Sequence, residues 1–534
     1  MRHIELFSGC GGLSLGLEQS GFELVMANEL SPMAAESFAY NFFNENLEEL
    51  AQAESLPQNT VWLNSNFPDL SSRLRENPFT FPPFEEEGSS DIPDLTSELD
   101  GKLLVGNIIE LNRLLDSNHE LVQQLRTAFG RDGGLDLVSG GPPCQSFSMA
   151  GLRNRDCEKN TLPWEFAKFV RHTQPKVAML ENVTGILRAF KDDNGNHFHA
   201  WYEVAKAFAS INYVPLCLHI NARFAGVPQN RPRFIMIAVR HDYYQSIAAN
   251  FHENSANAQL FTPSIEFYSL VQQQGVNLQF GHLEYFDASK PFHRQLFEDS
   301  FLHDLVNGNA VTVSDALDDL KQNAPSPPSE FITTLNNTFM SLPQRNGLSN
   351  HVFRNNGPVV KRRFRLYQVL QRINKPYITK AIFSVLKGEA TELTDDVWNC
   401  CSEYEFLQES GDLLRFKTPE DFVRYLRTHP TKKQTQKALV ANSQAPAALS
   451  IPDDACHYDE LELRVLTVRE MARIQSFPDN FVFRSKVTTG GKMRRYEAPQ
   501  YTQVGNAVPP LLGLKLGQCI ATLIQLSKAI SPAI

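Results

Sequence analysis

The 534-residue sequence holds no apolar run long enough to span a bilayer, and its opening, Met1-Arg2-His3-Ile4-Glu5, has no signal-peptide pattern. Together these absences predict a cytoplasmic protein with no membrane contact. Cysteine is sparse. The eight residues include no Cys-x-x-Cys pair and no Cys/His cluster at zinc spacing, so neither a disulfide framework nor a metal site is expected and all eight read as reduced thiols. An excess of positive charge is missing too. The formal net charge of −10 at first argues against a nucleic-acid partner. That acidity is local: between Glu45 and Asp100 thirteen acidic residues face only Arg73 and Arg75, giving −11 there and about +1 for the rest of the chain. A surface for a polyanion elsewhere stays open.

The most informative stretch is Ser139 to Ser148, Ser-Gly-Gly-Pro-Pro-Cys-Gln-Ser-Phe-Ser. The apolar run Leu135 to Val138 leads into it as a buried strand, and two glycines and two prolines stop that strand abruptly. Cys144 then sits on a stiff turn at a strand's carboxyl end, where open α/β sheets place their ligand crevices, and is a candidate nucleophile. The competing reading is a small buried cysteine after a tight turn.

Nearer the start, a strand at Ile4 to Phe7 runs into Ser8-Gly9-Cys10-Gly11-Gly12 and a helical pattern with Leu13, Leu15 and Leu17. Strand, glycine turn and helix form a nucleotide cradle. A second strand, Glu23 to Ala27, ends at Asn28-Glu29, and Glu29 lies twenty residues after Gly9, the spacing that sets a carboxylate beside a ribose. This pattern alone also suits a nicotinamide-dependent oxidoreductase. A third strand, Lys102 to Gly106, ends at Asn107-Ile108, near a cofactor's base. Helices are expected at Ser31 to Phe43, Ser117 to Ala128, Trp164 to Val170 and Tyr202 to Ser210. The strand Val177 to Leu180 closes on Glu181, and a charge ending an apolar strand is costly without a purpose. Arg231 and Arg233 alternate along an extended run after Gln229 and are expected on one side, suited to phosphate or carboxylate, with a strand at Phe234 to Val239 coming next. The fold class is α/β. Residues 44–100, acidic and carrying six prolines, read as an exposed, partly disordered insertion.

From His241 to Thr467 the alternation fades. Two basic stretches, Arg354, Lys361, Arg362, Arg363, Arg365, Arg372 and Lys432, Lys433, Lys437, are expected to contact DNA, the alternative being solvated helix faces. Leu466 to Phe477 reads as a helix stopped by Pro478, and Gly490-Gly491 with Arg494-Arg495 as a basic hairpin. The apolar helix Leu511 to Leu526 must bury a face, with the sheet of the first half as the obvious place. The divisions expected are a catalytic domain, 1–240, a target-recognition domain, 241–499, and a segment, 500–534, returning to the first.

These stretches, in this order, resemble the DNA cytosine-5 methyltransferases of bacterial restriction–modification and related defence systems. Phe7-Ser8-Gly9-Cys10-Gly11-Gly12 is similar to the family's S-adenosylmethionine loop, Gly141-Pro142-Pro143-Cys144-Gln145 to its nucleophile loop, Glu181-Asn182-Val183 to its catalytic Glu-Asn-Val, and Gln229-x-Arg231-x-Arg233 to its Gln-x-Arg-x-Arg. Arg469-Glu470 through Pro478 is similar to the helix framing the recognition region, and Gln503-Val504-Gly505-Asn506-Ala507-Val508-Pro509 to the closing motif. The resemblance implies a Rossmann-like methyltransferase sheet with a smaller recognition domain. It implies catalysis by Cys144, Glu181, Arg231 and Arg233. It implies S-adenosylmethionine held by Phe7, Gly9, Cys10, Gly11, Gly12, Glu29, Asn107, Ile108, Leu162, Asn506 and Val508. It implies duplex DNA contacted by Gln145, Ser148, Gln229, Arg473, Gly490 and Gly491. A monomer, with a cognate restriction endonuclease or defence proteins as partners, is expected. Two departures stand out: the acidic insertion, and Asn107 where the family commonly has an Asp contacting the adenine amino group. An RNA methyltransferase of the same chemistry is the nearest rival, opposed by the long recognition region; a catalytically silent DNA-binding protein is opposed by the intact Cys144 and Glu181.

Overall fold

A computed structural model describes residues 1–92, 99–143, 161–191, 197–429, 436–447 and 449–527. Nine strands form its main sheet: β1 (Arg2–Leu6), β2 (Glu23–Glu29), β3 (Thr60–Trp62), β4 (Lys102–Val105), β5 (Leu137–Gly140), β6 (Val177–Val183), β7 (Tyr213–Asn221), β8 (Pro232–Arg240) and β9 (Phe286–Asp287). Their spatial order is β9-β7-β8-β6-β5-β1-β2-β4-β3. The strands from β3 across to β6 run parallel, and β8 lies antiparallel between β6 and β7. The chain leaves β1 toward β2 on one side and later returns to β5 on the other. The carboxyl ends of β1 and β5 therefore flank the point where strand order reverses, which is where such sheets open a crevice.

The central strands are apolar because both faces are covered. Ile4, Leu6, Leu137, Val138 and Met179 are fully buried in one core with the helices α1 (Gly12–Gln19), α3 (Ile108–Ser117), α4 (Leu162–Thr173) and α5 (Ala200–Ser210). The terminal helix, α9 (Pro510–Leu526), joins this core through Leu512, Leu516, Ile520 and Leu523. It reaches α1 by backbone approach: a Cβ on Gly16 would stand 2.3 Å from the Leu514 nitrogen, and one on Gly513 would stand 3.1 Å from the Leu13 carbonyl oxygen.

Three expectations are corrected. The acidic segment is built into the fold. It supplies β3, whose Trp62 is fully buried, and a helix at Leu47–Gln52. Some of its carboxylates turn inward as acceptors: Glu45 takes the N–H groups of Gln58 and Asn59, and Asp91 takes the Trp62 N–H at 2.8 Å and pairs with Arg73 at 2.8 Å, while Glu54 and Glu85 to Glu87 stay exposed. Charge composition counts these groups but not their hydrogen bonds. The helix expected at Ser117 to Ala128 is the second of two, because Asn118 caps a separate helix at His119–Arg126. The domain boundary at 240 also moves, since β9 and a helix at Ala256–Gln274 pack onto the main sheet and its core.

Beyond Val306 three further cores appear, the smallest made of Phe364, Tyr367, Ala438, Cys456 and Val465. One joins Val313–Leu342 to Leu439–Val504, and includes the helix α8 (Val468–Ile474). Another is a helical unit built on α6 (Pro358–Ile373), α7 (Pro376–Leu386) and a helix at Pro419–Arg427. Among the described residues no single helix is long and apolar enough to cross a membrane.

Beneath the first glycine turn, Glu5 is buried on β1 and accepts from the Ser14 hydroxyl; burial pushes its pKa up to about 8, against that hydrogen bond. Folded Glu5 thus holds a proton that the unfolded chain releases near pH ~4.3, and its contribution to stability is full below that pH and is lost as pH rises through about 8. Glu5→Gln is expected to flatten the urea-midpoint profile between pH 5 and pH 8. Gly16→Ala, which drives a methyl into the α9 backbone, is expected to lower stability by about 1–3 kcal/mol in the same assay.

Candidate active site

Parallel pairing sets the site. Leu6 stands beside Gly140, and Gly140 beside Leu180, so the residues immediately after β1 and β5 and the last turn of β6 lie side by side. Glu181 is 9% exposed at this edge. A Cβ on Gly141 would stand 3.0 Å from the Glu181 Oε2, so a side chain there would press on the carboxylate beside the turn that leads to Cys144. Asn182 fixes that turn by donating from Nδ2 to the Pro142 carbonyl at 3.0 Å. The other carboxylate oxygen of Glu181 lies 2.6 Å from Nε of Arg233, itself 8% exposed. Burial lowers the Arg233 pKa, with Glu181 opposing. Cys144, Gln145 and Ser148 lie outside the described residues.

The glycine turn has the backbone its sequence requires. Phe7, Gly9 and Gly11 adopt φ of 55°, 57° and 95°. A side chain on Gly11 would strike the Phe42 ring at 2.3 Å, and one on Gly12 would meet the Val508 carbonyl oxygen at 2.3 Å. Gly9, by contrast, opens to space with nothing within 4 Å of a Cβ. Glu29 ends β2 and accepts from the Gly9 N–H and the Ser31 N–H, each at 2.8 Å, one per carboxylate oxygen. Each oxygen keeps a lone pair. Burial raises the Glu29 pKa while these N–H groups oppose it. The buried hydroxyls of Ser8 and Ser139, at the ends of β1 and β5, have no protein partner among the described residues. An open cradle, spare carboxylate acceptors and unpaired hydroxyls fit a nucleoside with a free ribose.

The other expected cofactor residues surround this turn unequally. Asn107 caps α3, its Oδ1 accepting the Ile109 N–H at 3.0 Å, which leaves one lone pair for an adenine amino group. Ile108 and Val508 are buried, Leu162 begins α4, and Asn506 is exposed. Cys10 is buried, with Sγ 3.8 Å from the Gln503 carbonyl oxygen, and burial raises its pKa far above the ordinary thiol value. It packs the loop and faces away from solvent.

Several expected contacts are not open to DNA. Arg231 does not share a direction with Arg233: its guanidinium donates to the Gly505 and Ala507 carbonyls at 2.7 and 3.0 Å and to that of Ala447. It clamps the closing motif and has no phosphate-facing role here. Gln229 is fully buried and donates to the Pro446 carbonyl. Arg473 is buried between Asp319 and Asp479, at 2.5 and 2.8 Å. In the basic stretch, Arg362 and Arg365 are buried and paired with Glu409 and Glu460, and Arg372 pairs with Glu460. Lys432 and Lys433 lie outside the described residues. Gly490 and Gly491 are exposed, but Gly491–Arg495 forms a 3₁₀ turn in place of the expected hairpin.

Sequence reading assigned no role to three residues that hold the site. Asn182 ties the nucleophile turn; its place after Glu181 was the available signal. Gln503 donates to the Met33, Arg484 and Ala498 carbonyls and accepts from Ser37. Arg469, fully buried, gathers the carbonyls of Ser349, Pro478 and Phe481. Both stand in stretches that the resemblance marked, the closing motif and the framing helix, but it gave neither side chain a role.

Comparison with known proteins agrees with this geometry. The family described as C-5 cytosine-specific DNA methylase matches residues 1–68 and 112–521, leaving out part of the acidic segment, β4 and the start of α3. Among curated relatives, the type II methyltransferase M.Bpa9945I of Bacillus paralicheniformis is 25% identical over 98% of both chains. The type II methyltransferase M.DdeI of Desulfomicrobium norvegicum is 23% identical over 98% of this chain and 88% of its own. The type II methyltransferase M1.HphI of Haemophilus parahaemolyticus is 23% identical over 97% and 86%. With the first glycine turn, the turn at 141–143 and the buried glutamate meeting at one sheet edge, the chain belongs to the C-5 cytosine-specific DNA methylase family, the DNA (cytosine-5-)-methyltransferases.

Proposed function

We propose that the protein methylates C5 of one cytosine within a specific duplex sequence through a transient bond between the Cys144 sulfur and C6, and protects host DNA as part of a restriction–modification or related defence system. The observation that carries this is Glu181, held by Arg233 and standing 3.0 Å from a Cβ position on Gly141, three residues before Cys144.

Cytosine C5 is a poor nucleophile. Addition of the Cys144 thiolate to C6 moves electron density onto C5, and a thiolate is the strongest nucleophile a side chain offers near neutral pH. Glu181 supports that addition by a hydrogen bond or proton to N3 and accepts from the exocyclic amine, which selects cytosine over thymine. Arg233 orients the glutamate by its ion pair. After transfer a base removes the C5 proton and the thiol leaves. The target must leave the stack to reach these groups. Gly9, Glu29 and Asn107 would hold S-adenosylmethionine. That cofactor would supply an electrophilic methyl on sulfur. The type II methyltransferase relatives support the restriction–modification role.

Cys144→Ser is expected to lower methyl transfer by about 10³-fold or more while duplex binding persists. Bisulfite sequencing of DNA from expressing cells checks this and reports the target sequence. A duplex carrying 5-fluorocytosine at that target is expected to cross-link to the Cys144 peptide; undiminished methylation by the serine variant, or no cross-link with methyl donor present, removes Cys144 from the reaction. Glu181→Gln is expected to cost about 10²–10⁴-fold in single-turnover rate, with labelled S-adenosylmethionine still retained.

A further inference from the structure

A groove of about 410 Å³ lies between α6, α7 and the chain at Gln436–Lys437. Four lysines, Lys375, Lys380, Lys387 and Lys437, line it, and no acidic residue does. All four are exposed. The spacing of Lys380, Phe383 and Lys387 sets them on one face of α7. Tyr367 and Phe383, stacked with centroids 6.0 Å apart and planes within 2°, provide an apolar bed for lysine stems.

The charges of this groove are not neutralised as the arginines of the same unit are. Lys380 and Lys437 form no ion pair among the described residues. Lys375 Nζ lies 3.4 Å from the Cys400 thiol, and Lys387 is 3.8 Å from exposed Glu389. Arg362 and Arg365, by contrast, are buried against glutamates. A cluster of hydrated, rotatable ammonium groups, of which only Lys387 has an acidic partner and that at 3.8 Å, matches a row of phosphates better than a single small anion. The groove also sits at a suitable reach. Lys437 and Ala438 pair with Ala455 and Cys456, and the same chain continues to Ala447, whose carbonyl accepts from Arg231. Ten residues span at most about 35 Å, about one turn of duplex.

We propose that this groove holds the sugar–phosphate backbone of the duplex being methylated, within one helical turn of the target cytosine. This rests on the function proposed above. The test is the triple variant Lys375→Ala, Lys380→Ala, Lys437→Ala, with duplex affinity followed by fluorescence anisotropy across a salt series. Each lost phosphate contact removes about 0.9 from the slope of log affinity against log salt, so the slope is expected to fall by about 2 to 3. Retention of S-adenosylmethionine and the bisulfite pattern at saturating DNA are expected to be unchanged, and the matching Lys→Arg variant to restore the slope. A wild-type slope in the alanine variant, or an affinity loss equal at every salt concentration, overturns the groove alone. No duplex binding by the unsubstituted protein overturns this proposal and the function above together.

Discussion

The first glycine turn is closed by the other end of the chain. A Cβ on Gly12 would collide with the Val508 carbonyl oxygen, and the Cys10 sulfur rests on the Gln503 carbonyl. Such contacts tolerate no added methyl, because backbone atoms cannot swing aside as a side-chain tip can. The nucleoside cradle therefore exists only when residues nearly five hundred positions apart in sequence are packed together. The chain beyond β9 leaves this sheet and its closing motif returns to it.

That pinning explains where the buried polar groups lie. Arg231, just before β8, binds the carbonyls of Gly505 and Ala507, and Gln475 donates to the carbonyl of Val504. Gln503 similarly takes the carbonyls of Arg484 and Ala498, and Arg469 those of Ser349, Pro478 and Phe481, none of which lies in a helix or strand. A buried carbonyl without a donor costs on the order of 1–3 kcal/mol, so irregular backbone at this junction needs side-chain donors with several N–H groups. Arginine and glutamine are the residues that have them. Arg231 adds a link to Ala447, so the chain there and the closing motif meet on one guanidinium, two residues before Arg233, the partner of Glu181.

Much of the sheet was legible because its strand ends are punctuated: Gly9 to Gly12 after β1, and Gly140 to Pro143 after β5, announce both turns, and Glu29 and Glu181 mark the ends of β2 and β6. β7 was not legible. Its Pro215 reads against a strand, and is tolerated because that position pairs only with Ala238 of β8, while β9 joins β7 further along at Leu218 and His219. The acidic segment was misread for a different reason. A carboxylate that accepts two backbone N–H groups, as Glu45 does, is indistinguishable in composition from one in solvent.

The basic residues carry the same lesson with its sign reversed. A run of arginines suggests a polyanion surface, yet guanidinium is weakly hydrated and suits buried, forked pairing, whereas ammonium is strongly hydrated and holds to the surface. In this chain the distinction divides the helical unit: Arg362 and Arg365 tie α6 to Glu409 and Glu460, and the lysines of α7 remain outside. The difference is one of placement: Arg362 and Arg365 are held inside the unit by glutamates, and Lys375, Lys380 and Lys387 stand on its surface. Net charge along the sequence does not register placement, which is why a chain at −10 can still present a groove lined by four lysines and no acidic residue.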